Sequence, residues 1–356
     1  MLKAELRYKE FIYRRPATTS RGTYTQKNVW FILLFDEDHP QVKGIGECSL
    51  FPGLSIDDRE DFEPTLKEVV ASINRGTFDF ATPLLEFPSI QFALETAQKD
   101  LQANGTKLLF PSAFTRGEDF IRINGLIWMG DRHDMEKQID QKLSQGFSCV
   151  KMKIGAIGFE DEFEVLTQLR KRYPATDLEI RLDANGAFSP AEAPEKLKRL
   201  SELTVHSIEQ PIRQRQAEEM AKLCAKSPIP IALDEELLGI FSMKEKEQLL
   251  DEIRPQYIIL KPGLLGGTKL SKEWIKAADQ RSIGWWITSA LETNIGLNAI
   301  AQWTYTLQKD MPHGLSTGAL FENNIESPLT LQGERLFYSP ERQWRLEGLR
   351  EDGLKD

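Results

Sequence analysis

Val150-Lys151-Met152-Lys153-Ile154-Gly155 sets two lysines one residue apart in an otherwise apolar run. Side chains of a strand alternate faces with period two, so Lys151 and Lys153 point the same way. Cys149 and Val150 before them, with Met152 and Ile154 between and after, mark a strand buried on both faces. Two ammonium groups side by side in such a setting are costly unless anions compensate them. Repulsion and desolvation both lower lysine pKa values, which is how a lysine becomes a base near neutral pH. A lone Lys-x-Lys is more simply an edge strand with its lysines in water, so the rest of the chain has to decide.

Outward from this strand the chain alternates strand and helix. Strands are expected at 121–128, 149–155, 179–185, 205–210, 229–235, 257–262, 285–290 and 315–320. Amphipathic helices fit between them, at 135–145, 160–173, 191–203, 217–226 and 269–281. Eight strands with crossover helices predict an α/β fold, a (β/α)8-type barrel. A doubly wound dinucleotide fold lacks its signature, because no G-x-G-x-x-G opens a helix after a strand.

The segment before the barrel has a different texture. Residues 2–14, 28–35 and 42–47 read as an antiparallel meander, and helices follow from 57 to about 104. Residues 15–27, rich in Thr and Ser with Pro and Gly, read as a mobile loop, and 51–55 as an apolar lid. The expected division is an N-terminal α+β capping domain over 1–112 and a catalytic barrel over 113–321. The tail, 322–356, is expected to return to the first domain.

A barrel of this kind carries its function at the C-terminal ends of its strands. Asp183, Glu209 and Asp234 each close an apolar run, Lys261 closes Tyr257-Ile258-Ile259-Leu260, and Ser289 ends Trp286-Ile287-Thr288. Around the ring from Lys153 the expected order is Lys, Asp, Glu, Asp, Lys. One strand-end acid is ordinarily a helix N-cap. Three on successive strands, flanked by lysines, are hard to explain as caps. Three convergent carboxylates need a cation to stay ionised together, and all-oxygen ligation favours Mg²⁺, or Mn²⁺ in its place. Asn185, Glu235 and Glu236 are expected just behind the ligands, and Arg181, on the face of Asp183, as a neutralising neighbour.

The pattern Lys151-x-Lys153, Asp183-Ala184-Asn185, Glu209-Gln210-Pro211, Asp234-Glu235 and Lys261-Pro262 resembles the muconate-lactonizing subgroup of the enolase superfamily. Within it, Ser289-Ala290-Leu291-Glu292-Thr293-Asn294-Ile295-Gly296 and His313-Gly314-Leu315-Ser316-Thr317-Gly318 are most similar to the o-succinylbenzoate synthases. The resemblance implies a (β/α)7β variant of the barrel. It also implies Mg²⁺-dependent syn-dehydration of 2-succinyl-6-hydroxy-2,4-cyclohexadiene-1-carboxylate to 2-succinylbenzoate in menaquinone synthesis. It makes Asp183, Glu209 and Asp234 the metal ligands, Lys153 the base with Lys151 beside it, and Lys261 the cation on the opposite face. Asn185, Glu235, Arg181, Ser289, Thr317 and Gly318 become candidates for contacts around the substrate.

Dipeptide epimerases of the subgroup carry Asp-x-Asp in the last barrel strand, where this chain has Ser316-Thr317-Gly318. An N-acylamino acid racemase, with Lys153 and Lys261 as opposed acid and base, is the nearest rival. A Schiff-base aldolase would not need three strand-end acids, and a non-catalytic barrel would have no reason to keep the whole set.

Composition bounds the partners. The 356 residues carry a net charge of −9, which disfavours nucleic acid and anionic membrane surfaces as partners. The first ten residues hold five charges and no apolar signal core. Cys48, Cys149 and Cys224 are scattered and suggest thiols of a reducing cytoplasm. Oligomeric state is not legible at this level.

Overall fold

A computed structural model describes residues 1–19, 22–155 and 157–349. The chain begins with a long hairpin: β1 (Leu2–Thr19) and β2 (Gly22–Asp36) pair antiparallel, and β3 (Gly44–Cys48) adds to β2. The loop expected at 15–27 is therefore mostly strand, with Ala17 opposite Tyr24 and Thr18 opposite Thr23. Threonine and tyrosine favour the pleated ladder. Pro16 falls inside the register slip between Ile12 and Ala17, where no ladder N–H is required. Ser20 and Arg21, at the turn of that expected loop, lie outside the described residues.

One face of this sheet, with Ala4, Tyr8, Trp30, Ile32 and Leu34, packs against α1 (Phe62–Arg75) and α2 (Pro88–Gln102). α1 contributes Phe62, Leu66, Val69 and Ile73, a stripe at helical spacing. Helix α2 lies directly on β3: a Cβ at Gly46 would sit 1.8 Å from the Ala93 carbonyl oxygen. The other face turns Phe11, Val29, Phe31, Leu33 and Ile45 into the core shared with the barrel.

The strand expected at 121–128 is broken in two, β4 (Phe120–Arg122) and β5 (Gly125–Ile127). Then follow α3 (Arg132–Ser144), β6 (Cys149–Lys153), α4 (Phe159–Arg172), β7 (Glu179–Asp183), α5 (Ala193–Ser201), β8 (Ser207–Glu209) and α6 (Ala217–Lys226). The series ends with β9 (Ile231–Leu233), α7 (Met243–Ile253), β10 (Tyr257–Leu260), α8 (Pro262–Leu265), α9 (Thr268–Asp279), β11 (Gly284–Ile287) and α10 (Asn294–Thr306). Strands β5 to β11 form one seven-stranded parallel sheet in sequence order. This is the curled, helix-wrapped sheet of an α/β barrel beneath an N-terminal capping unit.

Closure differs from the sequence reading. The eighth strand expected at 315–320 does not form; Thr317–Ala319 is a 3-10 turn. The gap is closed instead by single bridges, His313 to Ile123 and Gly314 to Thr288. A Cβ on Gly314 would come within 2.7 Å of Thr288 Oγ1, so this close approach needs glycine.

The tail also divides. Glu322 N donates to Ile12 O at 2.9 Å, and the Asn323 side chain pairs with the backbone of Ile12 and Glu10, so this part does touch the capping sheet. Strands β12 (Leu329–Gln332) and β13 (Arg335–Tyr338) instead form a hairpin on β4. The unpaired edge that β4 would otherwise expose explains that choice. Residues 350–356 lie outside the described part of the chain. The three cysteines are buried and unbonded, and no helix among the described residues is long and apolar enough to cross a membrane.

Candidate active site

Parallel register determines which side chains share a level. Lys153 is opposite Asp183, and Asp183 opposite Glu209; Lys151 is opposite Arg181. Lys151 therefore starts one layer deeper and reaches toward the strand ends. Its Nζ lies 2.6 Å from Glu209 Oε2 and 2.9 Å from Asp183 Oδ2. Lys153 Nζ lies 2.8 Å from the same Asp183 oxygen and donates to Asn185 Oδ1 at 2.7 Å. Asn185 Nδ2 donates in turn to Glu235 Oε1 at 3.0 Å. Across the mouth, Lys261 Nζ is paired with Asp234 Oδ2 and lies 3.5 Å from Glu209 Oε1. These side chains are all nearly or fully buried. The ring order read from the sequence holds, since β6, β7, β8, β9 and β10 are consecutive neighbours.

Three ammonium groups thus meet four carboxylates, counting Glu235. Burial alone would lower the pKa values of Lys151 and Lys261. The facing carboxylates outweigh it, Asp183 and Glu209 at Lys151, Asp234 and Glu209 at Lys261, so both pKa values are raised. The lowering expected of the paired lysines is therefore not found at Lys151. Asp183 is held well below the usual carboxylate range: Lys151 and Lys153 overcome its burial. Asp234 is pushed the other way, by burial and by Glu235 and Glu209 against the pull of Lys261.

Among the described residues no acids, histidines or cysteines stand as a ready-made cation cage, because the lysines hold the carboxylate oxygens. The donor set nevertheless suits a hard divalent cation. It is all oxygen, and Glu209 Oε1 is buried without a hydrogen-bond partner. Gln210 braces the set, accepting from Asp234 N and Glu236 N through Oε1 and donating to Glu236 Oε2 at 3.0 Å. Its φ of 40° keeps it off the regular strand path.

The cavity over these groups is lined by Lys151, Lys153, Asn185, Lys261 and Ser289, with Phe51 and Leu54 from the expected lid. It also takes Gly314 and Ser316, from the quoted His313–Gly318 stretch, and Asn124, Leu126, Trp128 and Thr288, which are not among the residues expected at the site. A signal for Leu126 existed: it pairs with Lys151 and so shares its face. Asn124 carried none, as it lies where regular pairing stops, whereas Ser316 belongs to the quoted His313–Gly318 stretch.

Two expected neighbours lie elsewhere. Gly318 faces a different hollow, with Asn294, Leu297 and Leu329, because the chain has turned out of the barrel by then. Thr317 has its backbone in that turn, and its side chain is outside the described part. Arg181 does not neutralise Asp183. It lies a layer deeper, donating to Glu179 Oε1 at 2.6 Å and Pro312 O at 2.8 Å, with its guanidinium 4.5 Å from the Trp286 ring centroid. This is a structural plug of the barrel floor. Arg181→Met should cost about 3 kcal/mol, since it strips a fully buried cation from its partners. Urea denaturation measures it, and a loss under about 0.5 kcal/mol would show the plug to be dispensable.

Residues 134–336 match the enolase C-terminal domain-like family. The chain is 48% identical to the o-succinylbenzoate synthase of Desulfotalea psychrophila, over 92% of this chain and 97% of that protein. The crystal structure of MenC from Desulfotalea psychrophila LSv54 superposes with a TM-score of 0.81 at 44% identity, covering 94% of this chain and 99% of that one. A dipeptide epimerase from Cytophaga hutchinsonii, crystallised with Mg and a dipeptide, shares the fold at a TM-score of 0.80 and 21% identity, covering 98% of each chain. The chain therefore belongs to the enolase superfamily and is similar over nearly its whole length to an o-succinylbenzoate synthase.

Proposed function

We infer that the chain catalyses the o-succinylbenzoate synthase reaction, dehydrating 2-succinyl-6-hydroxy-2,4-cyclohexadiene-1-carboxylate to 2-succinylbenzoate. The observation that carries it is the 48% identity to a synthase over nearly the full length of both chains. The site is consistent with that chemistry, since Lys151, Lys153 and Lys261 line one cavity and each is paired with a carboxylate behind it.

Asp183, Glu209 and Asp234 would hold Mg²⁺, as a fold relative crystallised with Mg suggests. When bound, the ion supplies positive charge beside the substrate carboxylate, which lowers the barrier to removing the neighbouring proton. Lys153, as the free amine, takes the α-proton. Its neighbours Asp183 and Asn185 accept hydrogen bonds from Nζ and aim the group. Lys261 stays charged, held so by Asp234 and Glu209, and faces the negative charge left on the substrate. The ammonium formed on Lys153 then gives its proton to the departing β-hydroxyl, and aromatisation drives the step. Phe51 and Leu54 exclude water above.

Purified protein with Mg²⁺ should convert the cyclohexadiene acid faster than it racemises N-succinylamino acids; the reverse order would replace the synthase by a racemase. The lysines offer a second discrimination. A dehydratase needs only charge from Lys261, so Lys261→Arg should keep at least about tenfold more activity than Lys261→Ala. A racemase needs a proton from that position, and arginine does not yield one near neutral pH. Equal loss in both variants, assayed side by side, would contradict the one-base mechanism.

A further inference from the structure

The wall of the active-site cavity is not made by the barrel alone. After β11 the chain runs through Ser289, Ala290 and Leu291, all of which line the cavity. Leu291 has a φ of 61°, a left-handed conformation that a bulky residue adopts only when its surroundings impose it. What imposes it here comes from the capping sheet. Lys27, on β2 and 3% exposed, donates from Nζ to Ala290 O at 3.2 Å and to Leu291 O at 2.8 Å. Next to it, Glu292 Oε2 accepts from Ala290 N at 2.5 Å. Glu47, on β3, accepts from Thr293 N at 2.9 Å, Thr293 Oγ1 at 2.6 Å and Gly296 N at 2.7 Å.

Lys27, Glu47 and Glu292 are all buried, and none of them lines the cavity. Apolar side chains would fill such an interface at less desolvation cost, so three ionisable groups there call for a role in specifying geometry. The Glu292 carboxyl is pushed up to about 7 by burial and by Glu47 against the pull of Lys27. The polar ends of the cavity are Lys151, Lys153 and Lys261, which suit the reacting carboxylate. Ala290 and Leu291, with Phe51 and Leu54, line the rest of the cavity and are apolar.

We propose that Lys27 is a positioning residue, which pins the Ala290–Leu291 turn in the shape that seats the succinyl arm of the substrate. Through these two hydrogen bonds a side chain of β2 holds one wall of the cavity. This rests on the synthase reading.

The test compares inhibition constants of 2-succinylbenzoate and of 2-methylbenzoate, which lacks the arm, for the full-length protein with Mg²⁺. Lys27→Met keeps the length of the side chain and removes its donors. It should weaken 2-succinylbenzoate by about tenfold or more and leave 2-methylbenzoate within about twofold. Lys27→Arg, which keeps a cationic donor, should restore the arm's contribution to within about threefold of the unaltered protein. If Lys27→Met does not fold, Lys27→Gln carries the same comparison. Unchanged constants, or equal weakening of both acids, would overturn the proposal: a residue that merely glues the two units together has no reason to distinguish them. Should the unaltered protein fail to prefer 2-succinylbenzoate, the synthase reading falls, and this proposal with it; a preference that survives in the variants removes the role of Lys27 alone.

Discussion

Lys153→Ala should lower turnover of the cyclohexadiene acid by about 10²- to 10⁴-fold, the usual contribution of a positioned general base. The fold should survive the change. Asp183 keeps Lys151 as a partner at 2.9 Å, so no buried carboxylate is left without a cation. Asn185 loses the donor to its Oδ1 but keeps its hydrogen bond to Glu235. A merely electrostatic role for Lys153 predicts something different, because Lys151 and Lys261 would still supply positive charge and only a modest loss would follow. Turnover and solvent-deuterium exchange into recovered substrate, measured together, separate the two. If exchange continues at a near-normal rate in Lys153→Ala, the base has been misassigned.

Asp183→Asn should do comparable damage for a different reason. One oxygen of Asp183 lies within 3 Å of both Lys151 and Lys153. The amide removes that charge and leaves two buried ammonium groups with Glu209 as the nearest remaining carboxylate of Lys151. Breaking a buried charge cluster in this way costs about 3–5 kcal/mol. The variant should therefore unfold at lower urea even without metal. Its Mg²⁺ affinity should fall by at least about a hundredfold, since a hard cation selects charged oxygen over a neutral amide. Calorimetric titration with Mg²⁺ reads the second effect apart from the first. An affinity equal to that of the unaltered protein would remove Asp183 from the ligand set, whatever its effect on folding.

The two predictions draw on residues that could be read from the sequence, and the reason is local. Alternation along a strand puts Lys151 and Lys153 on one face whatever the strand pairs with. An acid or lysine at the end of an apolar run reaches the barrel mouth once the strands are parallel and in order. The ring from Lys153 to Lys261 needed only those two facts. The barrel class needed only the repeated change of hydrophobic period, with the capping unit marked by its different texture.

What failed were statements about partners. Residues 15–27 have loop-like composition, yet pairing across a hairpin makes most of them strand. Arg181 shares the face of Asp183 but is a layer deeper, so it answers Glu179 and the Pro312 carbonyl. Gly318, a candidate through the resemblance, faces a different hollow because the chain turns away after Gly314. A lysine neighbour alone would lower the Lys151 pKa, whereas the facing acids on β7 and β8 dominate and raise it.

The sequence by itself thus determined the barrel, its capping unit and the identity of the charged ring, because strand periodicity and strand ends are properties of short stretches. Only the tertiary structure decided how those charges are shared and what shapes the wall around them. Lys27 meets Ala290 and Leu291 across more than 260 residues, and Glu47 meets Thr293 across 246. No periodicity spans such distances; burial selects those pairs once the capping sheet has docked on the barrel, where an unmatched charge would be too costly to keep.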